Sequence, residues 1–120
     1  MIDDLDLLER LFPKLDAALP LKVRLSPPLA NLITQQSHGK APPPHCYVTQ
    51  VSYAGDAGGI MCRLDLENEG KSPFIVSITN LIVDARAAVA RDVAVYQRRR
   101  FKRLRRLGVP NGHSAVHRAE

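Results

Sequence analysis

A chain of 120 residues has room for one domain with a real core but not for two of ordinary size. Its 45% hydrophobic and 24% charged residues exclude wholesale disorder, and 5% aromatics with no Trp make the core aliphatic. The net charge of +5 is concentrated, because residues 98–106 carry +7 while the remaining ten basic and twelve acidic residues leave −2.

Leu5, Leu8, Leu11, Leu15 and Leu19 recur at spacings of three and four, which predicts an amphipathic helix over Asp3 to Leu19. Pro13 removes a backbone donor and crowds the preceding turn, so this helix is expected to kink or split near Phe12 and to end at Pro20. Ser26-Pro27-Pro28 reads as a second helix start, with the Ser26 hydroxyl capping and proline in the first turn. Residues 37–44, with Pro42 to Pro44, form a loop.

The clearest strand signals follow. Tyr47 to Tyr53 and Ile60 to Glu67 alternate in period two around Gly55-Asp56-Ala57-Gly58-Gly59, a hairpin loop that supplies residues tolerant of positive φ. Residues 67–73 make a second turn, and Phe74 to Val83 is read as one third strand of a meander. Asp84 then offers an N-cap for a helix from Ala85 to Leu107, about 35 Å long, stopped by Gly108 and Pro110. Residues 109–120 read as a frayed tail, leaving 1–108 as one domain.

The expected fold class is therefore α+β: one or two N-terminal helices, a three-stranded antiparallel meander, and a long C-terminal helix packed on the sheet. So small a sheet leaves two open edges, which suggests a homodimer through edge pairing.

At about 100° per residue, Val89, Val93, Tyr96, Leu104 and Leu107 share one side of the last helix, while Arg98, Lys102 and Arg105 point the other way, flanked by Arg99 and Arg106. With Arg103, these six are the candidate contacts to nucleic-acid phosphate or to an acidic partner. Cations near a helix C-terminus also suit the macrodipole, but seven exceed what that role needs. Arg100 falls on the apolar stripe and must reach water or a carboxylate, for which the acidic N-terminal helix is a source. No zinc finger, RNP-type aromatic pair or helix-turn-helix is present, so base-specific reading is not indicated.

Tyr47 and Tyr53 are expected on one strand face, where with Asp56 they would line a pocket between sheet and helices. The Gly55–Gly59 loop lacks the Lys-Ser/Thr ending of a phosphate loop and should join two strands. His38, His45, Cys46, Cys62, His113 and His117 are metal-capable, but no second close pair completes a four-ligand site, so no metal or cofactor is expected. His45 and Cys46 are adjacent in a strand and point apart, so they do not read as a catalytic pair, and no catalytic residue is assigned. The acidic start Met1-Ile2-Asp3-Asp4 is unlike an export signal and suggests the cytoplasm, with free thiols, and no apolar run is long enough to span a bilayer.

The expected function is a small non-catalytic binding protein that contacts nucleic-acid backbone through its Arg-rich helix. The alternatives are a subunit binding an acidic protein or itself, and, third, a small-ligand domain or enzyme.

Overall fold

A computed structural model describes residues 3–37, 39–66, 74–108 and, as backbone only, 116–118. Among the described residues, three helices and an antiparallel sheet make an α+β fold.

Helix α1 spans Leu5–Ala17, and the Asp4 carboxylate caps it by accepting from the backbone N–H groups of Asp6 (3.0 Å) and Leu7 (3.4 Å). It is not split at Pro13. That proline lies on the exposed side, so the lost backbone bond faces water, while Leu11 and Leu15 bury the opposite side on either flank.

After α1 comes a strand that periodicity had not flagged, β1 (Leu21–Leu25), in which Leu21 and Val23 point inward and Arg24 points out. Helix α2 (Pro27–Gln36) starts at Ser26 as expected, with proline in its first turn, but the Ser26 hydroxyl makes no capping bond. Its carbonyl accepts from Ala30 instead, and its N–H donates to Asn80 O. No helix or strand occupies residues 39–45.

Strands β2 (Cys46–Tyr53) and β3 (Ile60–Leu64) form the expected hairpin, joined through a short 3-10 turn at Gly55–Ala57. Gly55 and Gly59 take φ of 64° and 68°, the left-handed region glycine enters without cost. The turn read at 67–73 lies outside the described residues.

The third predicted strand is two. Strand β4 (Phe74–Ser77) pairs with β3, a 3-10 turn at Ile78–Asn80 bends the chain, and β5 (Leu81–Val83) pairs with β1. Strands β5-β1-β2-β3-β4 follow in that order, so one stretch of ten residues supplies both flanks of the β1-β2-β3 centre, where a three-stranded meander was expected. A further short strand, β6 (Val116–Arg118), runs along β4 where a frayed tail was anticipated.

Helix α3 spans Ala90–Arg106, later than the predicted Ala85, and by its 17 residues is about 26 Å long rather than 35 Å. Asp84 does not cap it. The Asp84 carboxylate accepts from the Arg86 backbone N–H (3.0 Å) and guanidinium, closing a separate turn, and burial of Val89 then fixes where the helix begins.

Inside the sheet, Val23, Val48, Ile60, Cys62, Phe74 and Val76 meet Leu11 and Leu15 of α1, Ile33 of α2, and Val93 and Tyr96 of α3. The Gln97 amide donates to both Ile78 O and Leu81 O at 2.7 Å, so α3 grips the bend that separates β4 from β5. Among the described residues no helix is long and apolar enough to cross a membrane.

Candidate functional site

The arginine-rich segment is helical to Arg106, and its two sides differ as the sequence requires. Val93, Tyr96, Arg100 and Leu104 are buried at spacings of three and four, whereas Arg98, Lys102 and Arg105 are exposed on the opposite side. Leu107, placed on the apolar stripe by periodicity, is 64% exposed because the stripe runs past the end of the body it packs against.

Not all seven cations face water. Arg100 is 3% exposed: its Nη1 donates to Asp3 Oδ1 at 2.9 Å and its Nη2 to the carbonyl of Asp56 at 2.8 Å. The other Asp3 oxygen accepts the hydroxyls of Tyr96 (2.8 Å) and Tyr53 (2.9 Å), and Tyr96 Oη in turn accepts from Ile60 N–H (3.2 Å). The carboxylate sought for Arg100 is thus Asp3, immediately before α1, and it joins α1, α3 and the β2–β3 loop at one point. Arg99 reaches Asp4 at 3.3 Å and Lys14 reaches Asp92 at 3.2 Å, setting α1 antiparallel to α3. These exposed pairs contribute under about 1 kcal/mol each, and the buried one sets the geometry.

Arg103 is half-buried on the flank of the packed side and does not belong to the exposed band. Arg91, overlooked by attention to the dense run, does belong, because seven residues are close to two helical turns and bring it into line with Arg98. Arg91, Arg98, Lys102 and Arg105 therefore form a row about 21 Å long, with Arg106 and the half-engaged Arg99 along one side. Among the described residues, none of Arg91, Arg98, Lys102, Arg105 and Arg106 has a carboxylate within ion-pair distance.

The pocket proposed from Tyr47, Tyr53 and Asp56 does not assemble as predicted. An irregularity between Val48 and Gln50 places Thr49 and Gln50 both outward and inverts the alternation, leaving Tyr47 exposed while Val51 and Tyr53 turn inward. Asp56 is exposed, and its backbone carbonyl, not its carboxylate, meets Arg100. His38 and His113 lie outside the described residues. Cys46 and Cys62 are buried free thiols paired in register with Val23 and Val51, not with each other.

Burial shapes the titration of the core. It pushes the Cys46 thiol up to about 11, with help from Asp65, and Cys62 up to about 12. Desolvation and the bond to Asp3 push the Tyr53 hydroxyl up to about 12 and raise Tyr96 in the same way. Each group holds its proton more tightly folded than unfolded, so this stability is full below the unfolded value and is lost as pH rises through the folded one. The urea midpoint should fall progressively from about pH 9 to pH 12, with Tyr53 and Tyr96 ionising only as the protein unfolds. A midpoint that stays level to pH 11 contradicts this account.

Comparison with family models, curated proteins and solved structures returns no match.

Proposed function

We propose that this chain is a non-catalytic binding protein that holds nucleic acid by its phosphates through the outward side of α3. The observation that carries the reading is the row Arg91, Arg98, Lys102 and Arg105, exposed and, among the described residues, without an ion-paired carboxylate, on a helix whose other side is fixed in the core. A protein that needed these arginines only for solubility would gain nothing from holding them in register. Asp3 and Asp4 engage Arg100 and Arg99, while Arg98, Lys102, Arg105 and Arg106 keep their field directed at solvent. Guanidinium forks match phosphate geometry, and each phosphate neutralised releases counterion, giving affinity without base reading.

Binding of a labelled duplex should therefore weaken steeply with salt, measured by anisotropy from about 50 mM upward. The triple change R98E/K102E/R105E should cost at least about a hundredfold at 50 mM salt and flatten the log–log salt slope by about three. No binding at 50 mM, or binding indifferent to salt, overturns the proposal. An acidic polypeptide that binds where duplex and single strand do not assigns the row to a protein partner instead.

A further inference from the structure

The sheet has an outward face that the described helices do not cover. Lys22 and Tyr47 are cross-strand partners, so both project from the same side, and Arg24, two residues along β1 and about 7 Å away, joins them. Arg24 in turn lies opposite the exposed Ile82 of β5. On the other flank of β2, Arg63 is exposed opposite Gln50.

Tyr47 is 41% exposed. The hydroxyls of Tyr53 and Tyr96 are bound to Asp3, but among the described residues that of Tyr47 has no partner. Lys22, Arg24 and Arg63 likewise have no ion pair among the described residues. Two acids border the patch, Asp65, whose carboxylate accepts the Tyr47 backbone N–H at 2.7 Å, and Asp84, which feels the Lys22 charge but is held in an ion pair by Arg86. The strand irregularity that broke the predicted pocket is what turns this ring outward.

We infer that the outward face of β1, β2 and β3 takes single-stranded nucleic acid, with one base stacked on Tyr47 and neighbouring phosphates on Lys22, Arg24 and Arg63. This rests on the reading of the chain as a nucleic-acid binder and specifies the strand state. A free aromatic ring among unpaired cations complements a chain that offers an exposed base face between negative charges, and only an unpaired strand offers that face. The row on α3 also has an exposed aromatic, Phe101, on one flank, but that ring lies beside the line of cations, whereas Tyr47 stands among Lys22, Arg24 and Arg63.

The test uses the full chain with labelled oligothymidylate of about twelve nucleotides, an abasic phosphodiester of equal length, and a duplex of about 20 base pairs. Tyr47→Ala should weaken the oligothymidylate about tenfold or more, the range of one base–aromatic stack, while Tyr47→Phe stays near wild type and duplex binding shifts less than about twofold. R24E/R63E should weaken the same oligonucleotide, most at low salt, and flatten the log–log salt slope by about one to two. The inference is overturned if Tyr47→Ala binds like wild type, if the phenylalanine variant is as weak as the alanine one, or if the abasic chain binds as tightly. Duplex bound without oligothymidylate sinks this inference and leaves the role of α3 standing, whereas failure of both sinks the two together.

Discussion

Replacing Asp3 by alanine is expected to cost about 3–5 kcal/mol of stability, lowering the melting temperature by roughly 10–20 °C. The reason lies in what is left behind. Arg100 is buried and loses its one carboxylate, and the hydroxyls of Tyr53 and Tyr96 lose their shared acceptor in the same step. An uncompensated buried guanidinium is far more costly than a missing pair of matched partners. Asp3→Ala combined with Arg100→Met should therefore recover much of the loss, giving a coupling of 2 kcal/mol or more, on the order of other buried networks. Additive effects in calorimetry or urea melts would show that the pair does not act as a unit.

Gly59→Ala should cost about 2–4 kcal/mol, a large effect for one methyl group. Gly59 sits at φ 68°, where a side chain is strained, and a Cβ there would run into the Tyr96 hydroxyl and crowd the Arg100 guanidinium at 3.0 Å. Both obstacles are members of the Asp3 network and neither is free to swing away. Gly55→Ala makes the control, since Gly55 shares the left-handed backbone (φ 64°) but faces open space, so it should bear the backbone strain alone, about 1 kcal/mol. Equal urea midpoints for the two variants would remove the steric argument.

Much of this fold is legible in the chain. Helix α2, the β2–β3 hairpin and the two-sided character of α3 follow from period and turn chemistry, and the placement of Arg100 on the apolar side leaves it either water or a carboxylate, of which the structure shows the second. Other features were hidden for physical reasons. Leu21, Val23 and Leu25 do alternate with Lys22 and Arg24, but five residues between two helix signals make a weak pattern, and β1 gains its identity only by pairing with β2 and β5. The break at Ile78–Asn80 leaves no mark on a β-branched run, because Ile78 is buried like its neighbours and the bend is held from outside by Gln97.

The candidate site divides the same way. Periodicity placed Arg98, Lys102 and Arg105 correctly, yet it assigned Tyr47 to the wrong side of β2, since alternation cannot reveal where a strand gains an extra residue. Arg91 was missed because the eye follows density of charge, while a helix aligns residues by turn. The half-burial of Arg103 is a matter of tertiary packing, which its place in the run of cations does not reveal.

The ten residues from Phe74 to Val83 act as a keystone. They supply a strand on either side of the β1-β2-β3 centre, so neither β1 nor β3 has its full complement of neighbours until they are laid in. A flat meander sheds its outermost hairpin cheaply. Here the loss of β5 from β1 pulls, through the short turn at Ile78–Asn80, on β4 beside β3, which binds distant parts of the chain into one cooperative unit.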